Sequence, residues 1–147
     1  MSDSTDVEKA QLRLKSLAEF RFQMRKFLNF SEMASEHCGI PAQQYQLMQV
    51  IAAMPADQQA SITYLAERMI LRHNSTVELV DRAERAGLVR RDNDPTDLRR
   101  SLVQLTPQGV EILERLVAEH LRELAPLCEP LIVALRELQD VVEHGSH

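Results

Sequence analysis

The sequence of 147 residues has no tryptophan, two cysteines and few of the residues that interrupt helices. Its four glycines and six prolines are about 7% of the chain, where roughly 12% is average. This shortage excludes collagen-like and Gly/Pro-rich disordered chains, and it disfavours a β-sandwich rich in turns. The cysteines, Cys38 and Cys128, are too far apart to suggest a disulfide framework or a zinc pattern.

Long apolar runs are also missing. The longest runs have five residues, whereas a membrane-spanning helix needs about 20, so we expect no membrane partner. The polar, acidic N-terminus lacks the apolar stretch of a signal peptide, which predicts a cytoplasmic location. Hydrophobic residues make up 44% and charged residues 27%, as in soluble globular proteins, and the length favours one domain, residues 1–147.

The net charge of −5 is unevenly distributed. Residues 68–100 contain eight arginines and six acidic residues, so this window carries +2 while the rest of the chain carries −7. Arginine is the side chain that contacts phosphates and guanine edges in a bidentate manner. The window is therefore a candidate nucleic-acid surface, although solvated helix faces would explain the same charges.

Apolar residues at three- and four-residue spacing predict a mainly α-helical chain with one small β-hairpin. Ser61 and Asn74 are predicted to cap two short helices, and Gly87 is predicted to end the second. Two strand-like pieces, residues 88–91 and 102–105, then flank a loop rich in Asp, Asn and Pro. A long helix is expected from Pro107, with interruptions at Pro126 and Pro130.

Two short helices joined by a brief turn form a helix-turn-helix unit, and a hairpin after them makes a winged helix-turn-helix. Thr76, Leu79, Val80 and Ala83 are predicted to face inward. The second helix would enter the DNA major groove and present the remaining side chains. These candidate DNA contacts are His73, Asn74, Ser75, Glu78 and Arg82. Glu78 can accept a hydrogen bond from cytosine, or it can pair with Arg82 one turn later.

The segment 65–109, LAERMILRHNSTVELVDRAERAGLVRRDNDPTDLRRSLVQLTPQG, resembles the MarR family of bacterial transcription regulators. Gly87-Leu88-Val89, Arg91, Asp94-Pro95, Asp97, Arg99, Leu105-Thr106 and Gly109 match the family pattern in register. The resemblance implies a wing that binds DNA through Arg91, Asp97, Arg99 and Arg100. It also implies that Asp97 stiffens the wing while Arg99 enters the minor groove. Leu98 departs from the family, whose members often have a basic residue there.

The apolar stripes of the terminal helices, about 7–37 and 107–142, predict a homodimer. A small winged lobe, about 41–106, cannot cover both stripes, whereas pairing two chains would bury them; an intramolecular bundle is the alternative. Two-fold symmetry would place two recognition helices on double-stranded DNA. It predicts a pseudo-palindromic site with half-sites roughly 34–36 Å apart.

The resemblance further implies a repressor that is released from its operator by a small ligand, typically an aromatic acid or a phenolic compound. The candidate residues of this effector pocket are Phe22, Arg25, His37, Tyr45 and Met48. Two alternatives stay open. Cys38 precedes a helix that starts near Pro41, a position that favours a reactive thiolate, so the chain could be a redox sensor. A winged helix can also act as a protein–protein adaptor.

Catalytic motifs are absent from the sequence. The five histidines lack metal-ligand spacing such as HxxxH, and there is neither a Gly-rich phosphate loop nor a G-x-S-x-G element. We therefore predict no catalytic residues, no metal, no cofactor and no enzymatic activity.

Overall fold

Five helices and two strands follow one another along residues 2–145, the part of the chain that the computed structural model describes. They are α1 (Ser2–His37), α2 (Ala42–Ala52), α3 (Ile62–Met69), α4 (His73–Arg85), β1 (Val89–Asp94), β2 (Asp97–Leu105) and α5 (Pro107–His144). This architecture confirms a mainly α-helical chain with one antiparallel hairpin. None of these helices is both long and apolar enough to cross a membrane.

The chain divides into two compact units. Of the described residues, 2–32 and 120–145 form one unit, and residues 33–119 form the other. The predicted lobe, 41–106, lies inside the second unit, whereas each predicted dimerisation helix contributes to both. The second unit contains the helix-turn-helix elements and the hairpin, so it is the one that matters for the candidate site.

The 33–119 unit is held together by a continuous hydrophobic core. Its fully buried members come from α2, α3, α4 and the hairpin, and Leu113 and Leu116 add the first turns of α5. The buried core residues of the two helices that matter most are Leu65, Leu79, Val80 and Ala83. Burial of such side chains contributes about 1.5–3 kcal/mol each, so this core positions α4 and the hairpin on one body.

Two predicted helix ends have the expected geometry. The Ser61 hydroxyl accepts a hydrogen bond from Tyr64 N at 3.2 Å and so caps α3. Gly87 has a φ of +77°, and Leu88 N donates to Ala83 O at 3.0 Å. That backbone bond closes a Schellman motif, which turns the chain from α4 directly into β1.

The predicted start of α4 at Asn74 is wrong by two residues. Arg72 occupies the N-cap position, and its carbonyl accepts from both the backbone N and the hydroxyl of Thr76. This double contact satisfies the Arg72 carbonyl and fixes the first helical turn earlier than the sequence suggests. His73 and Asn74 therefore lie inside the first turn of α4 rather than before it.

The predicted loop between the two strands is too long. The strands continue through residues 92–94 and 97–101, so the tip is reduced to Pro95 and Thr96. The turn-forming residues correctly predicted a turn at the tip. Because they are numerous on both sides of it, the sequence did not predict that Asp92 pairs with Leu102 and Asn93 with Ser101. A bridge from Ser61 to Leu102 adds a third short segment beside the middle of β2.

Helix α5 runs without interruption past Pro126 and Pro130, contrary to the sequence prediction. Each proline removes one backbone donor, which leaves the carbonyls of Arg122 and Pro126 without their usual helical partners. These residues all lie on an exposed face of the helix, where water can satisfy the carbonyls. Leu124 and Leu127 between them are partly buried, and their packing favours continuation of the helix.

Ile70 adopts a conformation that β-branched residues rarely take. It ends α3 with φ 54° and ψ 46°, in the left-handed region, and its side chain is 91% exposed. The left-handed conformation costs roughly 1–2 kcal/mol for an L-residue with a Cβ, and asparagine tolerates it better. Because the side chain is exposed, its packing offsets little of this conformational free energy.

We expect Ile70→Asn to raise the free energy of unfolding by about 1 kcal/mol in chemical denaturation. Leu98→Asn is the matched control, because Leu98 is 80% exposed and has a negative φ, so it should change stability very little. An equal gain in both variants would mean that removing exposed apolar surface, and not relief of the backbone, causes the effect.

Candidate nucleic-acid interface

Helix α4 has one buried and one exposed face, as predicted. The buried residues are Thr76, Leu79, Val80 and Ala83. Ser75, Glu78 and Arg82 are exposed on the other side of the helix. The structure shows no ion pair between Glu78 and Arg82, both of which lie in the described part of the chain. Both charged groups are therefore available to a partner.

The first turn of α4 offers backbone donors to an anion. The Arg72 side chain makes no capping hydrogen bond at this helix end, in contrast to Ser61 at α3. His73, Asn74 and Ser75 follow, and all three are exposed. Uncapped N–H groups and the positive end of the helix dipole favour a phosphate at such a position.

The pairing register of the hairpin shifts near its tip, and the shift leaves three exposed residues of β2 without a partner in β1. Pairing proceeds from Val89–Leu105 to Asn93–Ser101, and the next pair is Asp94–Asp97. Leu98, Arg99 and Arg100 fall in the shift and are exposed. We call these three residues the wing segment. Extra residues in one strand bend it and re-aim its side chains, so the shift presents two guanidinium groups on the outside of the hairpin.

A buried carboxylate fixes the tip beside the wing segment. Asp94 is fully buried, and its Oδ1 accepts from the Thr96 hydroxyl at 2.7 Å and from Thr96 N at 2.9 Å. These hydrogen bonds, with a smaller contribution from the charge of Arg100, hold the pKa of the Asp94 carboxyl below its ordinary value. Asp94 thus closes the two-residue turn as a local side-chain–backbone motif.

Asp97 stabilises the wing segment through the backbone. Its Oδ1 accepts from Arg99 N at 3.0 Å, so the carboxylate holds the main chain of Arg99. Among the described residues, no ion pair joins the Asp97 carboxylate to the Arg99 guanidinium. The hydrogen bond to the amide restrains the chain at Arg99 and leaves the exposed side chain available to a partner.

The lowered pKa of Asp94 leads to a titration experiment. Because the folded-state pKa lies below the unfolded one, ionised Asp94 adds stability above the unfolded value of about 3.9, and this stability is lost as the pH falls through the folded pKa. Thr96→Ala removes the main cause of the shift, so we expect the carboxyl midpoint in a ¹³C NMR titration to move upward. Thr96→Ser keeps the hydroxyl and should retain the low midpoint; equal midpoints in Thr96→Ala and the unmodified chain would contradict the assignment.

Arg91 lies against α4 rather than on the outside of the wing. Its guanidinium forms an ion pair with the Asp81 carboxylate and donates to Val77 O at 3.2 Å, while its backbone N donates to Glu84 Oε2 at 2.8 Å. This placement does not favour the DNA contact predicted for Arg91, because the Arg91 guanidinium is already paired with the Asp81 carboxylate of α4.

The predicted effector residues lie in different environments. Tyr45 and Met48 are buried in the core of the 33–119 unit, at 2% and 0% exposure. Burial raises the pKa of the Tyr45 phenol. His37 and Cys38 are exposed at the end of α1, while Phe22 and Arg25 are exposed in the other unit, where Lys26 Nζ lies 5.5 Å from the Phe22 ring centroid. The pocket itself stays a prediction.

A sequence profile of the MarR family matches residues 39–100, which span α2, the helix-turn-helix pair and most of the hairpin. Over this region, the chain is similar to the MarR family. A transcriptional regulatory protein for the hcr operon of Thauera aromatica is 34% identical over 103 residues, 70% of this chain and 60% of that protein. The chain thus spans less than two thirds of the length of that relative. The relatives that it matches are named as transcription regulators, not as enzymes.

Solved structures share the MarR-type fold. A MepR mutant from S. aureus, bound to an oligodeoxyribonucleotide, has a TM-score of 0.59 and 19% identity, and the match covers 84% of this chain and 94% of that one. PcaV from Streptomyces coelicolor, in complex with its natural ligand, has a TM-score of 0.59 and 25% identity, with 84% and 91% covered. The likeness extends over most of each chain.

Sequence reasoning missed three residues that shape this MarR-type site. Asp94 and Thr96 form the turn, and Arg72 begins α4. The Asp94-Pro95-Thr96 order is a turn signal, and an Asp two residues before a hydrogen-bond donor could have identified the first pair. No residue pattern marks Arg72 as the start of α4, because its contact with Thr76 uses only the backbone carbonyl of Arg72.

Proposed function

We propose that this chain is a sequence-specific, DNA-binding transcription regulator. The observation that carries the proposal is the presence, in one compact unit, of an uncapped and exposed α4 N-terminus together with the wing segment. An exposed helix end of this kind suits the major groove, and exposed arginines suit phosphates or a narrow minor groove. The names of the matched relatives and the DNA-bound MepR neighbour support the same function.

Each candidate contact has a role that follows from its chemistry. His73, Asn74 and Ser75 lie where backbone and side-chain donors can bind phosphates. Glu78 and Arg82 are placed to read base edges, since a carboxylate accepts from cytosine N4 and a guanidinium donates to guanine. Arg99 and Arg100 of the wing segment contribute the charge that neutralises further phosphates, with Asp97 restraining the main chain.

We also propose that the chain acts as a homodimer through the unit formed by its two ends. Eleven large apolar side chains in the described part of this unit are more than a third exposed, Val7 and Leu121 among them. A surface of this kind is unusual for a monomer and is typical of an interface. Pairing two chains would present two copies of α4 to a pseudo-palindromic operator.

The finer regulatory proposal is release from DNA by a small aromatic or phenolic ligand, which would make the chain a repressor. PcaV, solved with its natural ligand, supports ligand control in a protein with this fold. Such control requires that ligand and DNA prefer different conformations of the protein. Tyr45 and Met48 are buried, so a ligand that contacts them would have to open the core around α2.

Fluorescence anisotropy with the DNA upstream of the gene tests the main proposal. We expect tighter binding to this DNA than to a scrambled duplex, and an affinity that falls steeply with salt because bound phosphates release counterions. Loss of the signal on addition of aromatic acids would then support ligand release. Absence of binding at low salt would reject the regulator and favour a protein–protein adaptor.

A thiol sensor remains a second candidate because Cys38 is exposed and lies close to Tyr45. An electrostatic interaction with Cys38 contributes to the raised pKa of the Tyr45 phenol, although burial is the largest cause. Peroxide would oxidise the Cys38 thiolate to a sulfenic acid. If this is the signal, peroxide should release the DNA from the unmodified chain and leave the Cys38→Ser complex intact.

A further inference from the structure

Two consecutive turns at the tip of the hairpin are closed by aspartate side chains. The Asp94 carboxylate accepts from the backbone N–H two residues later at 2.9 Å, and the Asp97 carboxylate accepts from Arg99 N at 3.0 Å. A carboxylate that bonds the chain two residues further on forms an Asx turn. Each turn encloses one residue, which is Pro95 in the first turn and Leu98 in the second.

Both enclosed residues are apolar and exposed. The Leu98 side chain is 80% exposed, and Leu98 does not belong to the hydrophobic core of the 33–119 unit. Burial within the chain therefore does not explain a leucine at this position. Because the hydrogen bond from Arg99 N to Asp97 restrains the backbone around Leu98, ordering this turn costs little further conformational entropy when it binds a partner.

The charges beside Leu98 favour one occupant for this apolar tip, the minor groove of DNA. Arg99 and Arg100 follow directly and are exposed, and residues 95–100 contain two arginines against one aspartate. This positive net charge suits a polyanion. Proteins that bind the minor groove combine arginines with inserted apolar side chains, leucine and proline among them. The floor of the groove presents only acceptors at A·T pairs, whereas a G·C pair adds the N2 amino donor of guanine.

We infer that Leu98 is a specificity-determining residue, which contacts the floor of the minor groove and disfavours G·C pairs there. The inference rests on the proposed function and deepens it, because it names the base pairs that the wing segment accepts. A leucine against the floor covers the guanine amino group and offers it no acceptor, and a covered donor without a partner weakens binding. At an A·T pair the same leucine covers no donor. Arginine responds instead to the width of the groove.

Inosine in place of guanine isolates the effect of the amino group, because an I·C pair lacks this group and keeps the others of G·C. Hydroxyl-radical footprinting of the upstream DNA locates the minor-groove pairs that the wing covers, as those whose protection is lost in Arg99→Ala. We expect A·T at these pairs. Replacing one of them by G·C should weaken binding of the unmodified chain about tenfold, whereas replacing it by I·C should leave the affinity within about twofold of the original.

Two asparagine variants show whether Leu98 causes this G·C penalty. Leu98→Asn replaces the apolar contact by an amide oxygen that can accept from the guanine amino group, so the penalty should fall to about threefold or less. Ile70→Asn is the matched control, because it makes the same kind of change at an exposed apolar residue outside the hairpin and should keep the full penalty. Chemical denaturation should confirm that both variants are folded.

The outcomes separate this inference from the proposed function. An undiminished penalty in Leu98→Asn would overturn the inference, because the arginines would then read the width of the groove. G·C at the protected pairs would also overturn it, as would equal affinities of the unmodified chain for the A·T and G·C duplexes. If the unmodified chain fails to prefer its upstream DNA over a scrambled duplex, the proposed function fails and the inference fails with it.

Discussion

Gly109→Ala is expected to lower the free energy of unfolding by about 3 kcal/mol, at the upper end for an overpacked site. A Cβ at Gly109 would overlap the backbone carbonyl oxygen of Leu88 and lie 3.1 Å from the carbonyl carbon of that residue. Neither partner is a flexible side chain, so the first turn of α5 or the turn after α4 has to move. The fold therefore requires glycine here for close approach rather than for backbone conformation.

The same junction contains the hydrogen bonds that such a movement would break. The Thr106 hydroxyl donates to Gly87 O at 2.6 Å and accepts from Gly109 N at 3.0 Å, while Thr106 N donates to Leu88 O at 3.1 Å. Thr106 thus caps α5 and attaches it to the Schellman turn that ends α4. This network explains in physical terms why threonine and glycine occur at this spacing after the hairpin.

Thermal unfolding followed by circular dichroism, at one fixed protein concentration, tests the Gly109→Ala prediction. A loss of about 3 kcal/mol corresponds to a Tm lower by roughly 10 °C for a chain of this length. Gln108→Ala is the matched control in the same helical turn, and its exposed side chain should make the change nearly neutral. Gly39→Ala tests the alternative cause, because Gly39 has a φ of +77° and open space around it. A Gly109→Ala loss no larger than that of Gly39→Ala would contradict the steric argument.

The helix-turn-helix was predictable because its signals are local. Ser61 and Gly87 act through atoms within a few residues, and the apolar spacing of α4 fixes which side is buried. These effects need no knowledge of the distant chain. The inward face of α4 was therefore correctly predicted from the sequence.

The failures arose where distant contacts decide the outcome. The hairpin pairs Asp92 with Leu102 and Asn93 with Ser101, which lie ten and eight residues apart, and the Asp-rich sequence between them was interpreted as loop. The resemblance assigned Arg91 to the DNA-binding wing, and this stays a prediction, but no sequence pattern indicated its ion pair with α4. Its partner Asp81 is ten residues away, and only the packing of β1 against α4 brings the two together.

The sequence prediction also overestimated the ability of proline to interrupt helix α5. Pro126 and Pro130 remove two donors from α5, but their carbonyl partners lie on an exposed face. The cost of each lost hydrogen bond is then limited by solvation. The solvation of the face that carries the prolines therefore decides whether the helix continues.

Arg99→Ala is expected to weaken binding to the upstream DNA about tenfold and to reduce the slope of log affinity against log salt by about one. Arg99 lies in the wing segment, where it is exposed, and its backbone N is held by Asp97. Removing the side chain leaves that hydrogen bond intact. The unfolding transition should therefore remain where it is in the unmodified chain, which separates a lost contact from a damaged fold.

The salt dependence distinguishes a wing contact from a general charge effect. Arg136→Ala removes the same charge from an exposed position of α5 in the other unit, so its binding should follow that of the unmodified chain. If Arg136→Ala weakens binding as much as Arg99→Ala, long-range electrostatics and not a local contact controls affinity. If Arg99→Ala binds as tightly as the unmodified chain with the same salt slope, the wing segment does not contact DNA, and recognition rests on α4 alone.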